Sequence, residues 1–166
     1  MRLPCRLSPS SAAPVSGTAQ STIHASAVLV GARAVLIRGP AGCGKSRLAL
    51  ALLQGAGRGA VRFARLVTDD RAELESRHGR LLVRPPAPIR GLLEIRGLGI
   101  RRVPFESVAA IGLVVDLDAP DAQRLPLPES RETLLEGVSV PRLAVAPQAD
   151  PLPLVLAALT LPDPGF

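Results

Sequence analysis

The sequence predicts a single α/β domain with a mixed β-sheet and few flanking helices, and three observations carry that prediction. A glycine-rich octapeptide, Gly39 to Ser46, stands between a short apolar run and a helical pattern. Short extended runs outnumber helical ones, and the helices are too few for a regular doubly wound sheet. The chain of 166 residues with 47% hydrophobic content holds enough apolar material for one core.

Taken in order, residues 1–21 are rich in Arg, Ser and Ala without a compact apolar centre, the composition of a disordered leader ahead of a domain over 22–166. Ser26 to Val30 and Ala34 to Arg38 read as strands around Gly31-Ala32-Arg33, and Ser46 to Gln54 as a helix ended by Gly55. Arg65 to Thr68 is a strand running into Asp69-Asp70. Ala72 to Glu75 and Arg80 to Val83 form a hairpin about His78-Gly79, which Pro85, Pro86 and Pro88 terminate. Leu92 to Arg96 and Ile100 to Val103 are extended around Gly97 and Gly99. Ala109 to Leu117 is a hydrophobic strand of the kind buried in a sheet centre. A polar, proline-rich stretch from Asp118 to Pro128 follows, then short strands at Val138 to Val140 and Leu143 to Val145, and a closing helix near Leu152 to Leu159.

Composition narrows the function. The only aromatics are three Phe, so the core must be built from Leu, Val, Ile and Ala, and stacking platforms for single-stranded nucleic acid are lacking. The net charge of +6 is spread over scattered arginines with no run of five, which describes a solvated surface rather than a nucleic-acid footprint. Two cysteines, Cys5 and Cys43, make neither a disulfide framework nor a metal site, as suits a reducing, cytoplasmic setting. No apolar run has the length of a membrane span.

The chemistry concentrates in Gly39-Pro40-Ala41-Gly42-Cys43-Gly44-Lys45-Ser46, the G-x-x-x-x-G-K-S spacing of a phosphate-binding loop. The glycines free the backbone to converge several N–H groups on one anion, and the following helix points its N-terminus at the same place. Lys45 is the only lysine in the chain, beside 19 arginines. A compact ammonium enters the curl of such a loop where a planar guanidinium does not. The Ser46 hydroxyl is the Mg²⁺ ligand of this motif, and Cys43 reads as a small filler of the loop. Two strands end in a carboxylate suited to the same site: Leu66-Val67-Thr68-Asp69, and Val114-Val115-Asp116.

Four blocks in order then resemble one family: His24 before the first strand, Gly39 to Ser46, Leu66-Val67-Thr68-Asp69-Asp70, and Leu93-Glu94-Ile95-Arg96-Gly97-Leu98-Gly99-Ile100. The last is similar to the signature of HPr kinase/phosphorylase, which phosphorylates a serine of the phosphocarrier HPr in the sugar phosphotransferase system. The resemblance runs from about Thr22 to Leu159, covers the catalytic domain without the family's N-terminal domain, and implies a P-loop kinase using ATP and Mg²⁺. It implies roles for His24 and Lys45 at the reacting phosphate, for Asp69 as the base that takes the serine proton, for Glu94 with Ser46 as Mg²⁺ ligands, for Arg96 at the phosphoryl group, and for Arg124 as a catalytic arginine. HPr is the implied partner, with neither nucleic acid nor membrane involved, and family members assemble as hexamers. Asp70 is left a structural or supporting part.

One departure concerns direction. The family's arginine-rich loop, tied to attack of inorganic phosphate on phosphoserine, is here Ala146-Pro147-Gln148-Ala149-Asp150-Pro151, without a basic residue. Kinase activity without efficient phosphorolysis is the expectation. The alternatives are another P-loop NTPase or small-molecule kinase using Asp116, and a non-catalytic nucleotide sensor.

Overall fold

The computed structural model describes residues 21–161. The elements are β1 (Ser21–Ile23), β2 (Ser26–Val30), β3 (Arg33–Arg38), α1 (Lys45–Gly57), β4 (Ala64–Thr68), β5 (Ala72–Arg77), β6 (Arg80–Arg84), β7 (Leu92–Ile95), β8 (Gly99–Arg102), β9 (Ala109–Asp116), β10 (Glu132–Leu135), β11 (Val138–Ala144) and α2 (Pro151–Thr160). Nine strands make one mixed sheet in the order β1-β5-β6-β9-β3-β2-β4, with β11 joining β9 and β10 joining β11, while β7 and β8 form a separate hairpin.

The apolar run of β9 becomes the centre of the sheet. One edge pairs in parallel with β3, and the other pairs antiparallel with β6 through Ala109 and Ala110, then parallel with β11 through Val114 to Asp116. Side chains alternate between two cores, as the pleat requires. Ala34 and Leu36 of β3 point with Val67, Val83 and Val114 into one; Val35 and Ile37 point with Leu66, Val115 and Leu117 into the other. Helix α1 closes the second core with Leu48, Ala49 and Leu52, against Leu93 of β7 and Val155 of α2. Every buried hydrophobic residue among those described is Ala, Val, Leu or Ile; Phe63 and Phe105 remain partly exposed.

Several sequence expectations change in detail. The first helix continues three residues past Gln54 to Gly57 because its C-terminal carbonyls are met by N–H groups of the Gly55–Val61 turn. The two strands placed on either side of Pro141 are one strand. Pro141 marks where β11 leaves β10 and joins β9, a position at which the missing N–H is tolerated. Strands β1 and β10 have no counterpart in the sequence reading, each being only three or four residues long and weakly patterned. The proposed leader falls outside the described residues except for Ser21, which opens β1.

This topology gathers the chemistry at one end of the sheet. Strand β2 runs antiparallel to both β3 and β4, with Ser26 opposite Ile37 and Ala27 opposite Thr68. The segment before β2, the loop after β3 and the turn after β4 therefore meet, bringing His24, Gly39–Ser46 and Asp69–Asp70 together.

Candidate active site

These segments enclose a cavity of about 650 Å³ lined by the phosphate loop, His24, Ser26, Asp69, Asp70, Glu94 and Arg96. The loop is built by backbone geometry. Gly44, the residue before α1, has φ 101°, where an L side chain is strained. Gly39 has φ 144°, and a Cβ there would come within 2.8 Å of both Cys43 Sγ and the Leu117 carbonyl oxygen. Lys45 is buried, and its Nζ donates to the carbonyls of Gly39 at 3.1 Å and Pro40 at 2.9 Å. Three donors on one small head group allow it to hold the loop and still face an anion.

Adjacent carboxylates at the end of β4 take opposite environments. Asp69 is 5% exposed. Its Oδ1 accepts from Ser26 Oγ at 2.6 Å and Ser46 Oγ at 2.9 Å, and its Oδ2 from the Glu94 backbone N–H at 3.1 Å. One carboxylate thus joins β2, the phosphate loop and β7. At Asp70 the chain turns with φ 72°, Arg71 N–H donating back to the Asp69 carbonyl at 2.9 Å and Thr68 Oγ1 to the Arg71 carbonyl. The turn throws Asp70 outward, its side chain 71% exposed, with Oδ1 3.3 Å from His24 Nε2.

This arrangement bears on each sequence-derived role. The oxygens of Asp69 accept from three donors, whereas Asp70, to which the sequence reading gave only a supporting part, is the exposed carboxylate beside His24. Glu94, on β7, lines the same cavity as Ser46 and has an exposed side chain. Arg96 also lines the cavity, but β7 ends at Ile95, so Arg96 stands in the turn after the strand expected to include it, and it forms no ion pair with Glu94 among the described residues. Arg124 is exposed in the bend after β9 and is not among the cavity-lining residues. Ser26 was missed from sequence; its signal is a hydroxyl opening the otherwise apolar strand Ser26-Ala27-Val28-Leu29-Val30.

The rival carboxylate, Asp116, is otherwise occupied. Arg38 grips it with Nε at 2.7 Å and Nη2 at 2.8 Å, and Arg142 Nε adds a contact at 2.6 Å. Burial would push the Asp116 carboxyl up, but hydrogen bonds and charge from Arg38 and Arg142 outweigh it and hold its pKa below the ordinary carboxylate value. Arg142 also holds Asp121 with two hydrogen bonds at 2.6 and 3.0 Å and reaches the Ser130 carbonyl at 3.3 Å. Those bonds, Asp121 foremost, raise the Arg142 pKa against the opposing effect of burial. Asp116 is a structural hub pinning the 121–130 segment to the sheet, and it is absent from the cavity lining.

The donor set fits a hard divalent cation. Hydroxyl and carboxylate oxygens of Ser46 and Glu94 face one cavity, and no group of three or more His, Cys, Asp or Glu among the described residues could hold a metal alone. That is the pattern of Mg²⁺, which keeps waters and shares phosphate oxygens rather than sitting in an all-protein cage.

Comparison with known proteins agrees with this architecture. Residues 17–146 match the family model described as HPr Serine kinase C-terminal domain. The chain is 36% identical over 140 residues to an HPr kinase/phosphorylase of Halalkalibacterium halodurans, covering 75% of this chain and 42% of that protein. It is 32% identical over 127 residues to one of Clostridium tetani, covering 70% and 39% respectively. It therefore spans well under half the length of these curated relatives. The solved structure of the Hpr(Ser) kinase/phosphatase from Coxiella burnetii superposes with a TM-score of 0.66 at 29% identity, covering 84% of this chain and 93% of that one. No helix among the described residues is long and apolar enough to cross a membrane. With a phosphate loop, the paired aspartates and the glutamate-bearing hairpin around one cavity, the chain belongs to the HPr serine kinase C-terminal domain family.

Proposed function

We propose that this domain transfers the γ-phosphoryl group of Mg·ATP to a serine of the phosphocarrier HPr, and so takes part in regulating carbohydrate use. The observation that carries the reading is the convergence on one cavity of a phosphate loop and an open carboxylate–histidine pair, Asp70 and His24. The loop N–H groups and Lys45 bind and orient the phosphates. Ser46 and Glu94 would hold Mg²⁺, which when bound neutralises charge on the phosphate oxygens. Asp69 fixes the Ser46 hydroxyl and the backbone of Glu94, setting the spacing between these two ligands. Asp70 takes the proton from the attacking serine hydroxyl, with His24 holding its carboxylate in place, a contribution of roughly 10²- to 10⁴-fold. Arg96 lies where it can steady the transferring group; Arg124 is given no part in this reading.

The direct test is to incubate the purified chain with Mg·ATP and HPr from the same organism and to search for phosphoserine by mass spectrometry. Phosphoserine that depends on both Mg·ATP and Lys45 supports the proposal. ATP binding without transfer to HPr would leave a nucleotide-binding module and overturn it.

A further inference from the structure

The pairing of β2 with β4 contains one irregularity, and it lies beside the site. The strands run in register from Val30 opposite Ala64 to Val28 opposite Leu66, and then shift so that Ala27 faces Thr68. Val67 is the extra residue of a β-bulge. Val67 and Ala27 enter the core that holds Leu36 and Val114, whereas Leu66 and Val28 enter the core closed by α1. A strand without the bulge would alternate strictly, sending Asp69 to the side of Val67 and away from α1. The extra residue reverses that alternation, and Asp69 meets Ser46 of the phosphate loop. Carried one step further, the shifted register sets Ser26 against Asp69. Their side chains meet at 2.6 Å, with Ser26 completely buried.

We infer that Ser26 is a positioning residue: its hydroxyl anchors Asp69 to the sheet and, through Asp69, sets the separation of Ser46 and Glu94, the two groups that would hold Mg²⁺. The inference rests on the nucleotide and Mg²⁺ part of the reading above and not on the identity of the acceptor. The three donors to Asp69 differ in origin. Ser46 belongs to the first turn of α1, and Glu94 to the β7–β8 hairpin, which is separate from the main sheet. Ser26 stands on a strand paired with β4 itself. It holds the carboxylate from the sheet side, while the other two contacts come from the elements that carry the ligands.

A hydroxyl has a single hydrogen to donate. Ser46 commits its hydrogen to Asp69 Oδ1 and keeps its lone pairs for a cation, and this division lasts only while Oδ1 stays in place. Removing the Ser26 hydroxyl leaves a buried acceptor short of a donor and frees the carboxylate to turn about its side-chain bonds. The phosphates themselves are gripped by the loop N–H groups and by Lys45, whose bonds go to the Gly39 and Pro40 carbonyls. The loss therefore falls on the metal-dependent part of nucleotide binding.

The experiment is titration calorimetry of wild type, Ser26→Ala and Ser26→Thr with a non-hydrolysable ATP analogue, once with Mg²⁺ and once with the metal chelated. The Mg²⁺ midpoint of HPr phosphorylation is measured on the same proteins. Ser26→Ala should weaken binding about 10-fold with Mg²⁺, as loss of a hydrogen bond to a charged group implies, and stay within about twofold of wild type without it. Its Mg²⁺ midpoint should rise in proportion. Ser26→Thr restores the hydroxyl on a β-branched side chain suited to a strand, and should recover most of the loss. Wild-type affinity of Ser26→Ala in Mg²⁺, equal weakening with and without the metal, or a folded Ser26→Thr protein no better than Ser26→Ala would overturn the positioning role alone. A wild-type chain that binds the analogue no more tightly with Mg²⁺ than without it would remove the Mg²⁺ reading and this inference with it.

Discussion

The Ser46 hydroxyl donates to Asp69 Oδ1 at 2.9 Å across 23 residues of chain, tying the last residue of the phosphate loop to the end of β4. The same oxygen accepts from Ser26 Oγ, and the other accepts from the backbone of Glu94. Asp69 is consequently the joint of the site, and the exposed carboxylate, beside His24, is its neighbour.

This division predicts opposite phenotypes for two adjacent residues. Asp70→Asn should keep Mg·ATP affinity within a few-fold and lower turnover by about 10²-fold or more, the pattern of a lost base. Asp69→Asn replaces an acceptor with a donor among three donors, and should lower stability by about 1–3 kcal/mol and weaken Mg·ATP binding. Titration calorimetry with a non-hydrolysable ATP analogue, alongside single-turnover transfer, separates the two. If Asp69→Asn binds normally and only turns over slowly, the base is Asp69.

Lys45→Ala should abolish transfer and weaken ATP binding, because each charge-assisted hydrogen bond to phosphate contributes roughly 1.5–3 kcal/mol. Lys45→Arg should be nearly as damaging. The ammonium sits buried against the Gly39 and Pro40 carbonyls, where a planar fork has no matching space. A Lys45→Arg enzyme with wild-type kcat would contradict this steric account.

At Asp116 the effect should fall on stability and not on transfer. Its carboxyl is 16% exposed between Arg38 and Arg142, so Asp116→Asn should cost about 1–3 kcal/mol by urea denaturation at neutral pH. The folded-state pKa is depressed. The ion pair therefore contributes fully above the unfolded value of about 3.9 and is lost as pH falls below it toward the folded value. The stability difference between wild type and Asp116→Asn should accordingly shrink on acidification from about pH 4 downward. Loss of transfer with unchanged stability would restore Asp116 as a catalytic acid.

Direction of reaction gives a further expectation. The segment before α2 carries no basic residue, and its one acid is committed to the helix: Asp150 Oδ1 accepts from Leu152 N–H at 3.2 Å as N-cap, followed by Pro151. A second anion approaching phosphoserine meets no preorganised positive charge there. Serine-phosphorylated HPr incubated with enzyme, Mg²⁺ and excess phosphate should release pyrophosphate far more slowly than the forward reaction proceeds. Comparable rates would mean that another cation, Arg71 or Arg96, serves the reverse step.

Much of this protein was legible as local sequence. The octapeptide between an apolar run and a helical pattern fixed the phosphate loop, because glycine torsions and a buried ammonium are local requirements. The hydrophobic run Ala109 to Leu117 marked the central strand, and the three Phe of the chain left a core of Leu, Val, Ile and Ala among the described residues. What local pattern could not supply was partnership between distant segments. Asp69 and Asp70 are chemically identical neighbours, and only the left-handed turn at Asp70, with hydroxyls arriving from β2 and α1, decides which is bound and which is open. Asp116 ends an apolar strand as plausibly as Asp69 does; two arginines from β3 and β11 remove it from the chemistry. Val138 to Val140 and Leu143 to Val145 read as two strands, yet they are one, with Pro141 where it changes partners and the missing N–H is tolerated. Sequence thus determined which groups the chain owns and what each can do alone. The tertiary structure decided which carboxylate is bound among donors and which is exposed, because those contacts join segments far apart in the chain.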